Sequence, residues 1–594
     1  MPVTPYATPI DDYEFLYDVL GLDELSEIPA FAEVGKELAL QVIGEAGRFA
    51  TEVLAPLNRS SDETGAEYSD GEVRTPPGFG EAYRLYREGG WPSLTGPSEF
   101  GGQQLPGFLA HAMSESVAST CMSFGQYTGL THAAAMAIEG HAEEWMKELY
   151  LPRMVAGEWG GTMCLTESHA GTDLGLMRTR AVPSGNGTFA VTGTKIFITA
   201  GEHDLTGNIV HLVLAKLPDA PPGVRGISLF LVPKFLPDDA GEPGQRNGVR
   251  CGSIEHKMGM KGSVACVMNF DGATGWMIGE PHKGLKAMFT MMNTARLLTS
   301  AQGPGAAEAA YQSAVAYARD RLQGRSASGA KAPEQAADPL IVHPDVRRML
   351  LEMRIHAEGG RALALWVMKQ SDIATHHPEE AVRESAGAFL ALMTPIVKVW
   401  LSETGLEAAN LGVQVFGGHG YIREWGMEQL VRDVRLVPLY EGANGIQALD
   451  LVGRKLPMDG GRMLRHLLDP IDGYLADEGS SGPAAEFRAP LGDARRALDE
   501  ATSAISVAGA ADPDEVGAAS MDYLKIAGYL AQAYLWALMG SAAIAKGDAN
   551  PRFHASKLAA ARFFFAKMVP FSQAHLSALK SGAAPVMALA ADAF

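Results

Sequence analysis

Apolar residues recur at helical spacing through the first quarter of the chain. They do so over residues 31–54, and helix-forming residues dominate residues 110–148. Between these stretches, residues 91–102 are rich in glycine, proline and serine, which predicts a loop. The pattern therefore predicts a helical N-terminal domain over residues 1–159.

The pattern changes to short β rhythms near residue 160. Runs rich in β-branched and aromatic residues, separated by loops with glycine and proline, predict strands at residues 189–199, 209–215, 227–233 and 266–270. Several short strands of this kind favour a small antiparallel sheet or barrel. We expect this β domain to cover residues 160–283.

Helical periodicity returns at Leu285. Long amphipathic or buried helices are predicted at residues 306–321, 346–371, 387–411 and 446–456. Residues 284–458 are thus expected to form a helical bundle, and residues 459–594 a further helical domain. The predicted fold class is α+β, with helices, a sheet and helices in that order.

Three stretches interrupt or test this picture. Residues 326–339 are rich in alanine, proline, glycine and serine and predict an exposed loop, and the polar residues 477–483 precede the last helical block. Residues 526–545 are twenty mostly apolar residues, but they include Gln532 and Ser541 and are rich in weakly inserting alanine and glycine. We interpret them as a buried bundle helix, so no membrane span is expected.

Composition narrows the possible functions. With 47% hydrophobic and 20% charged residues, the 594-residue chain has the composition of a globular protein. Its net charge of -20 argues against nucleic acid as a partner, because phosphates require an excess of basic surface. The N-terminus lacks the basic and apolar regions of a signal peptide. The four cysteines form no CxxC pair and are typical of a reduced, cytoplasmic protein.

The first candidate for chemistry is Glu441, which stands between Tyr440 and Gly442 just before an apolar run. A carboxylate on an apolar loop loses solvation, and this loss raises its pKa towards the range of a base. The alternative is that Glu441 lies in the first turn of the following helix, where an acid complements the helix dipole. These residues alone favour the alternative, because acids are common in first turns.

Two loops are further candidates for ligand binding. Residues 162–173 are an apolar strand followed by a loop with hydroxyls and a glycine. The backbone N–H groups and hydroxyls of such a loop can donate hydrogen bonds to a flat heteroaromatic ligand or a phosphate. Ordinary turn chemistry explains the same residues. Residues 415–421 carry glycines that allow close ligand approach, or a helix C-cap at Gly417. His419 has no partner at metal spacing and is interpreted as a packing residue, so no metal site is expected.

No GxGxxG after a strand, no GxxxxGK[ST] and no serine-hydrolase motif is present. Six other motifs follow one another along the chain: Leu165-Thr166-Glu167 with Gly171-Thr172-Asp173, Gly193-x-Lys195-x-Phe197-Ile198-Thr199, Arg321-Leu322-Gln323-Gly324-Arg325, Gln414-Val415-Phe416-Gly417-Gly418-His419-Gly420, Arg432-Asp433 and Tyr440-Glu441-Gly442. In this order, these motifs resemble the acyl-CoA dehydrogenase family over roughly residues 50–458. The length of the chain and its C-terminal block resemble a long bacterial branch of the family.

The resemblance implies FAD as cofactor, acyl-CoA as substrate and electron-transfer flavoprotein as electron acceptor. By this resemblance, Arg321 would bind the FAD pyrophosphate of a neighbouring subunit, and Gln414, Gly417 and Gly418 would approach the adenosine part. This sharing across subunits implies a homodimer or homotetramer. The residues that would contact FAD are Met163, Leu165, Thr166, Thr172, Phe197, Thr199, Arg321, Gln414, Gly417 and Gly418.

By the same resemblance, Glu441 is the catalytic base that removes the α-proton of the thioester, while the β-hydrogen leaves as hydride to flavin N5. Some family members place the base on an earlier helix, but the matching residue here is Ala295, which cannot accept a proton. Substrate contacts would come from Thr172, Asn293 and Arg296.

The long branch implies 3-methylthiopropanoyl-CoA as the substrate and 3-methylthioacryloyl-CoA as the product, in dimethylsulfoniopropionate degradation. The alternatives are a short- or medium-chain fatty acyl-CoA of β-oxidation, an acyl-CoA oxidase, or a non-dehydrogenase flavoprotein of the same fold. Two positions depart from the family pattern: Ala443 stands where threonine is usual, and Gln323 stands where an aromatic residue precedes Gly324.

Overall fold

A computed structural model describes residues 4–477, 483–547 and 549–594. Helices precede and follow a central sheet, as the sequence pattern predicts. The helices are α1 (Ile10–Val19), α2 (Lys36–Phe49), α3 (Ala55–Thr64), α4 (Phe79–Glu88), α5 (Gly107–His141), α6 (Glu144–Val155), α7 (Gly284–Thr299), α8 (Gln302–Asp320), α9 (Pro344–His376), α10 (Glu380–Phe416), α11 (Met427–Val434), α12 (Asn444–Asp450), α13 (Arg465–Ala476), α14 (Arg488–Ala511), α15 (Pro513–Ala545), α16 (Pro551–Phe563), α17 (Phe571–Leu579) and α18 (Ala584–Met587).

The strands are concentrated between α6 and α7, apart from one short hairpin near the start of the chain. They are β1 (Glu67–Ser69), β2 (Glu72–Arg74), β3 (Trp159–Cys164), β4 (Arg180–Pro183), β5 (Phe189–Thr199), β6 (Asn208–Lys216), β7 (Ile227–Pro233), β8 (Phe235–Pro237), β9 (Pro243–Arg246), β10 (Val249–Ile254) and β11 (Ala265–Ile278).

One compact unit, the sheet unit, comprises residues 6–8 and 43–299. Its seven-stranded sheet runs β10-β11-β5-β4-β6-β3, and β7 pairs with both β6 and β11. Strands β6 and β7 are buried almost throughout, because they are continuous runs of apolar residues. The pairing is antiparallel as predicted except where β3 runs parallel to β6, and β4 touches β6 in parallel at one position.

The sequence pattern placed β5 and β7 at their observed bounds, but it did not predict β4, β8, β9 or β10. The run predicted at residues 266–270 is the first half of β11, which continues to Ile278. Two register shifts, between Cys266 and Met268 and between Phe270 and Ala273, bend β11 so that it pairs with β5, β7 and β10. The predicted helix over residues 110–148 is two helices, α5 and α6, because Ala142 adopts an extended backbone between them.

The other unit, the helical unit, comprises residues 4–5, 9–42 and the described residues from 300 to 594. Helices α8, α9 and α10 pack against one another, and α15 packs against α14, α16 and α17. The stretch of residues 526–545 lies in α15, where most side chains are buried in the helical core, in agreement with its prediction as a bundle helix.

Within the described residues, one helical stretch, Glu380–Tyr421, is long and apolar enough to cross a membrane, and 72% of its apolar window is buried in the protein. This burial is what the core helix of a globular unit shows. Of the polar stretch predicted at residues 477–483, residues 478–482 lie outside the described part of the chain.

Candidate active site

The loop between α11 and α12 gives Glu441 an unusual backbone. Glu441 has φ +55° and the next residue, Gly442, has φ +91°, so both lie in the left-handed region. A side chain in this region costs about 1–2 kcal/mol relative to right-handed backbone. Such strain persists only where surrounding contacts enforce it, and it is concentrated at functional sites.

The alternative interpretation of Glu441 as a first-turn helix residue is wrong. The helix α12 begins at Asn444, three residues later, and two successive left-handed residues cannot belong to a right-handed helix. The amide of Asn444 instead donates to the carbonyl of Pro438 at 3.1 Å, which closes the loop around Glu441. Before it, the Tyr440 hydroxyl donates to Gln302 Oε1 at 2.6 Å.

In the sheet unit, the segment after β3 lies beside the second half of β5. The amide of Ile196 donates to the carbonyl of Thr166 at 2.9 Å, and Lys195 Nζ donates to the carbonyl of Leu165 at 2.9 Å. The structure therefore brings Leu165 and Thr166 beside the part of β5 that leads to Phe197. Met163, Thr166 and Thr199 are half-buried, Leu165 is buried, and Thr172 is exposed.

A buried ion pair fixes this segment. Lys195 is 0% exposed and Glu167 is 4% exposed, and Lys195 Nζ lies 2.9 Å from Glu167 Oε1. The same carboxylate accepts hydrogen bonds from the amides of Arg178 (2.7 Å) and Thr179 (3.0 Å) and from the Thr179 hydroxyl (2.6 Å). Burial raises the pKa of Glu167, but the Lys195 ammonium and these donors outweigh it and lower that pKa to about 2.

Phe197 is placed as a ligand-contacting residue would be. Phe197 is 60% exposed. Its φ of +60° is a left-handed conformation near the end of β5. Strained backbone is concentrated at functional sites, and this ring lies at the surface, where it can cover a ligand. With the nearby hydroxyls of Thr166 and Thr199, the set offers an aromatic face and hydrogen-bonding groups, which fits a flat heteroaromatic cofactor such as a flavin.

Arg321 is exposed at the end of α8, and the loop over residues 326–339 is mostly exposed, as predicted. The loop over residues 326–339 closes around Asp338, which is 0% exposed. Its carboxylate accepts hydrogen bonds from the amides of Ser326 and Ala332, both at 2.8 Å, and these donors, the amide of Ser326 first, lower the pKa of Asp338. The amide of Leu340 then donates to the carbonyl of Arg321 at 2.8 Å, so the ordered loop fixes the backbone of Arg321.

The glycine motif ends α10. Gly417 has φ +60° and provides the C-cap, while a Cβ added at Gly417 or Gly418 would meet no atom within 4 Å. The motif thus combines the cap with open space for a ligand. Gln414, one turn earlier, is exposed and lines a cavity of about 650 Å³. His419 stacks on Trp425 at 4.0 Å, which confirms its interpretation as a packing residue.

Two of the three predicted substrate residues, Asn293 and Arg296, lie on α7, and the third, Thr172, lies in the loop after β3. Asn293 is exposed, Arg296 is half-buried, and Arg296 Nη1 donates to Asn293 Oδ1 at 3.3 Å. Ala295, between them, is 2% exposed and packs in the core of the sheet unit. The position used by the alternative base of the family therefore carries a buried methyl group here.

Sequence reasoning missed two residues that hold these loops, although each left a signal. Lys398 interrupts an apolar run in α10, and Lys195 stands among the β-branched and aromatic residues of β5. A lysine in such a position is buried only when it is paired, so both patterns indicate an internal partner. The partner itself is distant in the sequence and could not be identified from the pattern.

Four family models match the chain: the N-terminal, middle and C-terminal domains of acyl-CoA dehydrogenase at residues 37–158, 162–273 and 282–456, and an acetyl-CoA dehydrogenase C-terminal-like domain at residues 467–590. The chain belongs to the acyl-CoA dehydrogenase family. Its activity is therefore the FAD-dependent dehydrogenation of an acyl-CoA thioester, and the predicted α+β fold is confirmed.

Individual relatives cover nearly the whole chain. A 3-methylmercaptopropionyl-CoA dehydrogenase from Ruegeria pomeroyi is 43% identical over 564 residues, which are 94% of this chain and 95% of the relative. A butyryl-CoA dehydrogenase from Syntrophomonas wolfei is 34% identical over 97% of this chain and 94% of its own. The crystal structure of a Bacillus anthracis acyl-CoA dehydrogenase complexed with FAD matches with a TM-score of 0.75 at 20% identity, over 93% of this chain and 90% of its own.

Proposed function

We propose that the substrate is 3-methylthiopropanoyl-CoA, which is converted to 3-methylthioacryloyl-CoA in dimethylsulfoniopropionate degradation. The observation that carries this proposal is the 43% identity, over 94% of the chain, to a 3-methylmercaptopropionyl-CoA dehydrogenase. The butyryl-CoA dehydrogenase that matches with 34% identity supports the second candidate, a short-chain fatty acyl-CoA.

Glu441 is the base in this proposal. Its carboxylate accepts the α-proton of the thioester, the β-carbon loses a hydride, and a double bond forms between the two carbons. FAD, when bound, supplies the acceptor for that hydride. The strained backbone of Glu441 supports the assignment, since a structure maintains such strain where the side chain must point in one direction. Arg296, with Asn293 and Thr172, would contact the CoA thioester.

The residues proposed to hold FAD belong to the segments already described. The end of β3 and the end of β5 would supply an aromatic ring and hydroxyls. Arg321 would bind the FAD pyrophosphate of a neighbouring subunit, and an amide and two open glycines would approach the adenosine part. The full set of proposed FAD contacts is Met163, Leu165, Thr166, Thr172, Phe197, Thr199, Arg321, Gln414, Gly417 and Gly418.

An anaerobic titration of the FAD-loaded protein with a panel of acyl-CoAs tests the substrate. We compare the rate constant of flavin reduction divided by the apparent Kd of each acyl-CoA. We expect this ratio to be higher for 3-methylthiopropanoyl-CoA than for butanoyl-, hexanoyl- or octanoyl-CoA. A higher ratio for butanoyl-CoA would establish the fatty acyl-CoA alternative. No bleaching with any thioester would instead identify a non-dehydrogenase flavoprotein.

The Glu441→Gln variant tests the base in the same assay. Glutamine keeps the shape of the side chain but cannot accept the proton, so we expect the bleaching rate to fall by about 1,000-fold or more, within the range for loss of a general base. Its FAD content should match that of the unaltered protein. Bleaching at the original rate would exclude Glu441 as the base.

We also propose that electron-transfer flavoprotein accepts the electrons, that the protein is a homodimer or homotetramer, and that it is cytoplasmic. The four cysteines are free and buried, which supports a cytoplasmic location. Oxygen consumption during turnover, compared with reduction of added electron-transfer flavoprotein, distinguishes a dehydrogenase from an oxidase. Light scattering on the eluting protein measures the oligomeric state.

A further inference from the structure

A buried lysine of α10 holds the loop that carries Glu441. Lys398 is 2% exposed and stands in the apolar run Ile396 to Leu401. Its Nζ donates to the carbonyl of Gly442 at 2.9 Å and to Asn444 Oδ1 at 2.8 Å. These two acceptors lie on either side of the turn between Glu441 and α12, so a single ammonium group joins the core of α10 to both ends of that turn.

The second acceptor is itself fixed on α10. Asn444 is 7% exposed, its Oδ1 also accepts from the Ser402 hydroxyl at 3.3 Å, and its Nδ2 donates to Glu403 Oε1 at 3.1 Å. Glu403 in turn pairs with Lys525 of α15. Because every partner lies on a packed helix, Lys398 acts from a rigid support.

The bond to Gly442 bears directly on Glu441. The ψ angle of Glu441 and the φ angle of Gly442 orient the peptide that follows Glu441. The Gly442 carbonyl belongs to the next peptide plane of the same turn. Glu441 and Gly442 both have left-handed backbone. In an unconstrained loop, Glu441 would relax to right-handed or extended backbone. The loss of the ammonium would remove the contact that opposes this relaxation.

We propose that Lys398 is a positioning residue for the base: by holding the Gly442 carbonyl and the Asn444 side chain, it keeps Glu441 in the left-handed conformation that aims its carboxylate at the substrate. This inference rests on the proposed role of Glu441. Lys398 takes no proton from the substrate and acts only through the loop.

The Lys398→Met variant tests the proposal, because methionine has a similar length but no ammonium. We expect kcat to fall by about 100-fold, which is the effect of a displacement of about 1 Å at a reacting group. KM for the best acyl-CoA of the panel should change by less than about threefold, because the groups that bind CoA are unaltered. FAD content should remain that of the unaltered protein.

Hydrogen exchange provides a readout that does not depend on activity. The amides of Asn444, Ile446 and Gln447 bond within the loop, to Pro438 and Ala443. In Lys398→Met, with or without FAD, these amides should exchange at least about tenfold faster, while the rest of α10 keeps its protection. This result is independent of whether Glu441 is the base, so its failure is distinct from a failure of the proposed function.

Lys369→Met is the matched control. Lys369 is 6% exposed, lies on α9 and likewise donates to a backbone carbonyl, that of Leu20 at 2.9 Å, and to a carboxylate, that of Glu24 at 2.8 Å. We expect it to lower the melting temperature without altering kcat or exchange in the loop. An equal loss of kcat in both variants would overturn the proposal, as would an unchanged kcat in folded Lys398→Met.

Asn444→Ala serves if Lys398→Met does not fold. It removes one of the two acceptors and leaves the bond to Gly442, so a smaller loss of kcat, about tenfold, is expected together with faster exchange at Ile446 and Gln447. Unaltered kcat and exchange in this variant would contradict the proposal.

Discussion

Glu441 adopts a backbone conformation that only glycine adopts without cost. This conformation lowers the stability of the folded protein. At φ +55° the Cβ of any other residue crowds the following carbonyl oxygen. Backbone strain of this kind is concentrated at functional sites. The backbone angle is therefore independent evidence, besides the motif, that the carboxylate of Glu441 is functional.

The comparison of Glu441→Gly with Glu441→Ala measures this strain. Both variants lack the carboxylate and should be inactive, but only alanine keeps the Cβ, so we expect the glycine variant to be more stable by about 1 kcal/mol. Urea unfolding followed by fluorescence measures the difference. An alanine variant of equal or greater stability would show that the left-handed conformation is not enforced in solution.

At the residue scale, the sequence singled out Glu441 as the proposed base but did not predict its backbone geometry. The order Tyr440-Glu441-Gly442 before an apolar run indicated a helix start, and α12 does begin at Asn444. The left-handed angle depends on contacts with Lys398, more than forty positions earlier in the chain, and no local pattern encodes such a contact.

Among the elements, β3 and β5 depend on the ion pair between Lys195 and Glu167. A run of β-branched and aromatic residues predicted β5 at its observed bounds, Phe189–Thr199. The conformation of the segment after β3 could not be predicted, since it is set by the buried lysine of a neighbouring strand. The carboxylate of Glu167, rather than a turn motif, fixes where Thr166 lies.

This ion pair predicts a pH dependence. The pKa of Glu167 is lowered from 4.5 to about 2, so its contribution to the free energy of unfolding is complete above about pH 4.5 and is lost as the pH falls towards 2. Glu167→Gln should therefore reduce the stability of the protein by about 2 kcal/mol at pH 7, and the difference should shrink below pH 4.5. Chemical unfolding at a series of pH values measures it.

Glu81→Gln is the control for this pH series, because Glu81 pairs with Arg84 on an exposed helix surface. Solvent screens that pair, and we expect no measurable pH-dependent difference from the unaltered protein. A Glu167→Gln variant whose deficit stayed constant from pH 7 to pH 3 would show that packing, and not the charge, supplies the contribution of Glu167.

At the scale of the whole chain, periodicity predicted the succession of helices, sheet and helices, because each element needs one apolar face for its core. It could not predict which distant segments share a buried charge. In the helical unit, Asp12 of α1 pairs with Arg361 of α9 and Lys557 of α16. Three segments separated by hundreds of residues thus meet at one carboxylate that is 3% exposed.

Asp12→Asn tests how strongly this carboxylate ties the segments together. Burial opposes the charge of Asp12, but Lys557 and Arg361 outweigh it and lower its pKa, so the carboxylate is ionised at neutral pH. Its removal leaves Arg361 with Glu308 at 2.6 Å and Lys557 with Glu358 at 2.7 Å, each with one anion fewer. We expect a loss of about 3 kcal/mol in the free energy of unfolding.

In Asp12→Asn, the α1 amides should exchange hydrogen faster than in the unaltered protein, while the rest of the helical unit keeps its protection. The reason is that α1 loses the charge that pairs it with α9 and α16. Lys580→Met, which breaks the exposed pair with Glu500, provides the surface comparison and should leave the melting temperature nearly unchanged. Equal shifts in the two variants would mean that the buried cations find other partners, and that packing of α1 alone holds it in place.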